Sequence, residues 1–224
     1  MNKIIERIHE MVDSAIMKKT KEKRDYMGTS GLGEPCDRAL WYSYHQPKPI
    51  DKAIVLRKFD IGHSTEPVVI QWLKDAGMTV FTADKDGNQF GFVDGVIAGH
   101  VDLVILGIPG DEKTPYLGEV KTSNQFTFKK FQKEGVAHHP KYLTQIHVYM
   151  NKLKLKKCLF IVVNKDSQEL YFEIVEADEF IAISALQRGF VIAESTEMPE
   201  RKYAMKNYFL CKFCNYNSEC WSDE

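Results

Sequence analysis

The residues of this chain with the means to do chemistry are a set of cysteines at its two ends and a pair of acids in its middle. Cys211, Cys214 and Cys220 crowd the C-terminal end in a C-x2-C-x5-C spacing, and Cys36 stands alone near the start. Two thiolates separated by two residues can grip one centre from a single turn, and a third close by leaves one ligand to come from elsewhere. Cys36 is the natural fourth, which ties the chain end to end around its middle. Zinc and an iron–sulfur cluster both accept such a set, and thiolate chemistry alone does not choose between them. An odd count of five cysteines with this clustering fits a disulfide framework poorly and suits a reducing compartment. The fifth, Cys158, heads an apolar stretch and reads as a small buried hydrophobe.

In the middle of the chain Gly99-His100-Val101-Asp102 precedes Gly118-Glu119-Val120-Lys121-Thr122. As strands, the two-residue period puts Glu119 and Lys121 on one face, and a turn at Pro109-Gly110 brings Asp102 beside them. Two hard carboxylates and an amine at the end of a sheet are the parts that metal-assisted phosphodiester hydrolysis requires. The acids hold Mg²⁺ or Mn²⁺ through oxygen, the ion polarises the phosphate and acidifies a water, and the lysine positions that water. Strand-edge charges paired on the surface would produce the same E-x-K spacing. Asp102 argues against that reading, because an unpaired carboxylate inside the otherwise apolar stretch 101–106 is costly.

Further along, Gln145 and Tyr149 are four residues apart, so on a helix they share one face, where an amide and a phenol can meet a phosphate or the attacking water. Lys129, Lys130, Lys133 and Lys141 interleave with Phe126, Phe128, Phe131 and Tyr142, a pattern that can line a channel where bases stack and phosphates meet ammonium groups. Of these, Lys129 and Lys130 are the residues expected to touch DNA. His138, His139 and His147 lack convergent spacing and read as structural or DNA-facing.

The elements that must position these groups follow from periodicity. Residues 2–24 carry Ile4, Ile5, Ile8, Met11, Val12, Ala15 and Ile16 at helical spacing and end in a basic stretch, 18–24. A glycine-rich loop, 29–35, delivers Cys36 to a short aromatic helix at 38–44, and a second loop holds Pro47 and Pro49. The segment 54–76 is helical in pattern, with a kink or restart expected at Gly62 and Pro67. From there the period changes to that of strands, at 79–82, 89–93, 97–106 and 116–122. Helices at 124–134 and 140–153, strands at 157–164 and 170–175, and a helix at 177–194 complete an α/β reading with a mixed central β-sheet flanked by helices.

At 224 residues with a net charge of -1, the chain supports one substantial core and carries no global basic field, so nucleic-acid binding would rest on local patches. The expected organisation is a single domain over 1–224: an N-terminal helical segment with Cys36 (1–53), a core (54–195) and a cysteine tail (196–224). The start lacks the apolar core of a secretory signal, and the longest apolar run, 158–163, is too short to cross a bilayer. No phosphate-loop motif of a helicase is present.

With G-x-x-D at Asp102, E-x-K-T at Glu119 to Thr122 and Gln145-x-x-x-Tyr149 on the following helix, the chain resembles the PD-(D/E)XK nuclease superfamily in its RecB-like exonuclease branch. Together with Cys36 and the cysteine tail it is similar to the CRISPR-associated RecB-like exonucleases and to nuclease modules of helicase-nucleases with an iron–sulfur cluster, over 30–220. The resemblance implies a restriction-endonuclease-like core and a 4Fe-4S cluster on Cys36, Cys211, Cys214 and Cys220, with zinc as the alternative occupant. It also implies a Mg²⁺ or Mn²⁺ site on Asp102 and Glu119, a catalytic Lys121, and a histidine ligand on the helix before the sheet, matched by His63 in Gly62-His63-Ser64-Thr65-Glu66. The Val120 carbonyl is a further candidate ligand. One departure is that no proline precedes the first acid, where His100-Val101 stands. The expected activity is a DNA exonuclease on single strands or DNA ends, in the cytoplasm of a bacterial, archaeal or phage-infected cell, with a helicase or other DNA-processing protein as partner and no membrane. A structure-selective endonuclease and an inactive DNA-binding module with a zinc-stapled tail are the competing readings.

Overall fold

The computed structural model describes residues 3–18, 24–48, 50 and 52–222. Helix α1 (Lys3–Met17) forms where the apolar period predicts it, yet none of its residues is buried; it lies against α3 with an Asp13–Arg57 ion pair between them. Residues 19–23 of the basic stretch and Pro49 lie outside the described residues. After the two-residue strand β1 (Met27–Gly28), α2 (Asp37–His45) starts directly behind Cys36 and buries Leu40, Trp41 and Tyr42. Helix α3 (Ala53–Asp75) runs unbroken through Gly62 and Pro67, against the expected interruption. Pro67 forfeits one intrahelical donor, but a helix of this length retains the bonds on either side. Within that turn the Ser64 and Thr65 hydroxyls both donate to the Ile61 carbonyl, at 3.0 and 2.8 Å.

Strands β2 (Thr79–Phe81), β3 (Gly91–Asp94), β4 (Ile97–His100), β5 (Leu103–Leu106) and β6 (Tyr116–Ser123) lead into α4 (Gln125–Glu134) and α5 (Pro140–Leu153). Then come β7 (Lys157–Asn164), β8 (Leu170–Glu176) and α6 (Glu179–Glu194), and two single turns in the tail, α7 (Phe209–Lys212) and α8 (Asn217–Cys220). The caps explain two of the helix starts: the Asn124 side chain accepts from the Thr127 N–H, and Asp178 from those of Phe180 and Ile181.

Two sheets form where a single one was expected. Five strands order as β2-β5-β6-β7-β8 with β6 and β7 parallel, and β1-β4-β3 make a separate three-stranded sheet. The segment 97–106 is therefore two strands, one in each sheet. The change of sheet happens at Val101-Asp102, where the Val101 N–H donates to the Phe90 carbonyl at 2.9 Å and the Asp102 carboxylate accepts the Val120 N–H at 2.9 Å. A side chain thus takes a donor that a longer strand pairing would have used, and the chain bends there.

The five-stranded sheet is packed on both faces. Toward α3, Val69 and Leu73 meet Leu103, Ile105, Val120 and Ile161; toward α4 and α5, Phe128, Phe131, Ile146 and Tyr149 meet Leu117, Phe160 and Val162. A third cluster joins Leu40, Trp41 and Tyr42 of α2 to Ile97, Val148 and the inner side of α6. The tail docks on α2 and the segments flanking it: the Tyr42 and Tyr216 rings stack at 5.3 Å, Lys202 donates to the Pro35 carbonyl at 2.6 Å, and Lys48 to that of Asn215 at 2.7 Å. Among the described residues no helix is long and apolar enough to cross a membrane.

Candidate active site

The antiparallel register of β5 and β6 pairs Leu103 with Gly118, so Asp102 comes opposite Glu119 one step further on. Glu119 and Lys121 share the β6 face that looks toward α5, and their side chains form an ion pair. From α3, Glu66 comes within electrostatic reach of Asp102, Glu119 and Lys121. Three carboxylates and one ammonium from three elements therefore gather at the end of the sheet.

Glu119 is the most constrained of them. Its side chain is 1% exposed, its Oε1 meets the Lys121 ammonium, and its Oε2 has no hydrogen-bond partner. Burial pushes its carboxyl up to about 7, with Lys121 pulling it down and Asp102 adding to the rise. Burial and the Asp102 charge likewise push Glu66 up to about 7, opposed by Lys121. Burial works against the Lys121 ammonium, but the Glu119 and Asp102 charges outweigh it and hold its pKa above the ordinary lysine value. A buried carboxylate with one ammonium partner, flanked by two more acids, offers oxygen ligands suited to a hard divalent cation.

Gln145 and Tyr149 stand above this group on α5, where the Gln145 amide donates to the Tyr149 hydroxyl at 3.4 Å. Burial and the Glu119 charge raise the Tyr149 phenol to about 12, so it remains a donor at neutral pH. The ring sits over Gly99, where an added Cβ would come within 2.6 Å of Tyr149 Cε1 and 2.3 Å of Thr29 Oγ1. Thr29 is itself fixed by donating to the Ala98 carbonyl at 3.0 Å. Gly99→Ala should therefore displace Tyr149 and cost about 1–3 kcal/mol by overpacking. A thermal midpoint equal to wild type would show that the ring moves aside freely.

The other sequence-designated residues divide. His63 is exposed on α3, one turn before Glu66. Lys129 and Lys130 are exposed on α4, Lys130 lying 4.7 Å from the ring of Phe126, which is exposed too, while Phe128 and Phe131 are core. His147 is structural, its Nδ1 accepting the Asp178 N–H at 3.0 Å, and Cys158 is fully buried. Glu66, three residues past His63, joins the site from α3. Its spacing from His63 is visible in the sequence, but which way that helical face turns is set by α3 packing Val69 and Leu73 on the sheet.

Cys36, Cys211, Cys214 and Cys220 line one pocket between the start of α2 and the tail. Burial pushes the Cys211 thiol up, and the nearby Cys220, Cys36 and Cys214 add to it. Cys214 is raised by burial while the Tyr216 N–H, 3.4 Å from its sulfur, works the other way. Among the described residues, no three His, Cys, Asp or Glu side chains close on a single point as ligands of a bound ion do.

No known family profile matches the chain, and no curated protein matches it. Among solved structures, the alkaline exonuclease LHK-Exo from Laribacter hongkongensis is 14% identical, with a TM-score of 0.55 over 82% of this chain and 90% of that one. The same enzyme in complex with dAMP gives 15% identity and a TM-score of 0.53 over the same shares. A protein designated SSO0001 is 13% identical, with a TM-score of 0.54 over 97% of this chain and 98% of that one. At these identities the likeness establishes the fold alone: a mixed α/β architecture shared with these structures.

Proposed function

We propose that this chain is a divalent-metal-dependent deoxyribonuclease that removes nucleotides from DNA ends, acting on single strands or frayed termini. The observation that carries the reading is Glu119, a buried carboxylate paired with the Lys121 ammonium alone and lying beside Asp102 and Glu66. Asp102 and Glu119 are the acids that would hold Mg²⁺ or Mn²⁺, with Glu66, His63 and the Val120 carbonyl as the remaining candidate ligands. Bound there, the ion supplies an acidified water and charge withdrawal from the phosphate. Lys121, held by Glu119, orients that water and offers a cation to the phosphate oxygens. The Gln145 amide and the Tyr149 hydroxyl donate to the scissile region. Similarity to an exonuclease, and to its complex with a deoxymononucleotide, supports this substrate class.

A 4Fe-4S cluster on Cys36, Cys211, Cys214 and Cys220 belongs to the same reading, as a clamp joining the two ends of the chain; zinc is the competing occupant. Digestion of end-labelled linear single-stranded DNA under Mn²⁺, with covalently closed circles left intact and EDTA abolishing activity, is the expected result. Cutting of closed circles would replace the exonuclease with an endonuclease, and metal-independent binding without cleavage would leave a binding module.

Lys129, Lys130 and Phe126 offer a path for the strand toward the site. Lys129→Ala combined with Lys130→Ala should weaken single-strand binding and flatten its salt dependence by up to about two charges, at roughly 0.7 log units of slope per charge. An unchanged slope would assign both lysines to the solvated face.

A further inference from the structure

The pocket between α2 and the tail holds two buried N–H donors that have no acceptor. Arg38, two residues past Cys36, is 9% exposed and its Nε–H is unpartnered; Trp221, adjacent to Cys220, is 4% exposed and its indole N–H is unpartnered. Both line the pocket together with all four cysteines. A buried donor left unsatisfied costs about 1–3 kcal/mol, and a buried guanidinium without a counter-charge costs more. Arg38 takes part in none of the ion pairs among the described residues. Glu34, the carboxylate lining the same pocket, is bound to Lys141 at 2.5 Å. A second cation lies alongside: the Arg201 guanidinium covers the Trp221 ring at 4.4 Å, and its Nε donates to the Cys220 carbonyl at 2.8 Å.

Two orphan donors, contributed to one wall by opposite ends of the chain, call for an occupant that is anionic and accepts hydrogen bonds. Cystine bridges do not meet that need, because their sulfur is neutral and they would leave the Arg38 charge uncompensated. We propose that Arg38 and Trp221 donate their N–H groups to the sulfur atoms of a tetrathiolate centre on Cys36, Cys211, Cys214 and Cys220, and that Arg38 is its counter-charge. The proposal rests on the cluster reading given above. In an iron–sulfur centre each added electron increases the negative charge on sulfur, so charge-assisted N–H···S bonds stabilise the reduced state more than the oxidised one. Arg38 and Trp221 therefore raise the reduction potential, as supporting hydrogen bonds around a metal centre do.

The test compares wild type, Trp221→Phe, Arg38→Met and Arg38→Lys, purified without oxygen, by iron and sulfide content, by midpoint potential from spectroelectrochemistry, and by the rate of metal loss to a chelator. Trp221→Phe keeps the ring and removes only the N–H, so it tests the idea even if Arg38→Met does not fold. The expected result is retained iron with a reduction equilibrium shifted about tenfold toward the oxidised form, which for one electron is about 59 mV. Arg38→Met should shift it further and lose iron faster, and Arg38→Lys should recover part of both effects. A wild-type protein without thiolate-bound metal overturns the cluster reading itself. A wild type with the cluster, and variants matching it in potential and metal loss, overturns the role of the two donors alone. If zinc is bound instead, faster zinc loss from both Trp221→Phe and Arg38→Met upholds the donors, and equal rates overturn them.

Discussion

Lys121→Ala is expected to slow digestion of DNA ends at least about a hundredfold while Mn²⁺ and DNA still bind, the usual scale for losing a positioned electrostatic or proton-transfer group. The side chain is 22% exposed, paired with Glu119 and 5.7 Å from the Tyr142 ring, so it is aimed at the carboxylates rather than at solvent. Its raised pKa keeps it charged at neutral pH, so the role proposed for it is that of an orienting cation and not a base. Glu119→Gln and Asp102→Asn should behave differently, losing tight Mn²⁺ binding together with cleavage, because a hard ion would lose an oxygen ligand. Calorimetric Mn²⁺ titration separates the two classes. Lys121→Ala or Asp102→Asn digesting at the wild-type rate, with contaminating nuclease excluded, would place the chemistry elsewhere. The pH dependence carries the same signature. Glu66 and Glu119 rise from 4.5 to about 7 in the metal-free fold, so folding favours their protonated forms. The metal-free protein is then most stable below pH 4.5 as far as these groups are concerned, and their contribution is lost as pH rises through about 7. Mn²⁺ competes with those protons, so its stabilisation, read as the shift in thermal midpoint, grows over the same interval.

The part of this architecture set by local periodicity was legible. β6 and β7 read as strands from a strand period bounded by turn signals and from the apolar run 158–163, and α4 and α6 from helical spacing; the structure adds the Asn124 and Asp178 caps that fix where those helices start. The parts that escaped are tertiary. Nothing local breaks the run Ile97 to Leu106; the break comes when Asp102 takes the Val120 N–H from a strand eighteen residues away. The helix across Pro67 is likewise decided by α3 packing along its length on the sheet, which outweighs the loss of one donor.

The same division runs through the candidate sites. Asp102, Glu119 and Lys121 were legible because a strand period and a turn suffice to gather them. Glu66 was not, since its approach depends on how α3 rotates about its axis. Gln145 and Tyr149 share a helical face by spacing alone, but that the face turns inward required Gly99, whose missing side chain admits the Tyr149 ring. Arg38 and Trp221 carry no motif at all. An arginine on an aromatic helix and a tryptophan near a cysteine tail are ordinary in sequence, and only their joint burial without partners sets them apart.

The tail makes the second large prediction: protein purified without oxygen is brown, absorbs broadly near about 400 nm and carries about four irons per chain, and Cys211→Ala loses colour, iron and much of its solubility. The reason lies in how little else holds the tail. Phe209, Leu210 and Phe213 are exposed, and from α7 onward Trp221 is the one buried large hydrophobe among the described residues. The Lys202–Pro35 and Lys48–Asn215 bonds are exposed contacts, each worth about 1 kcal/mol or less. Bonds from a shared centre to both ends of the chain would then be the main tether, and in such segments metal-binding free energy is folding free energy. Without them the tail detaches and uncovers the Tyr42 face of α2, so limited proteolysis of Cys211→Ala should remove residues after about 200 first. Stoichiometric zinc in a colourless wild type would exchange the metal while keeping the tether. A wild type free of metal whose tail resists proteolysis as well as the core does would remove the tether, because the exposed contacts would then suffice by themselves.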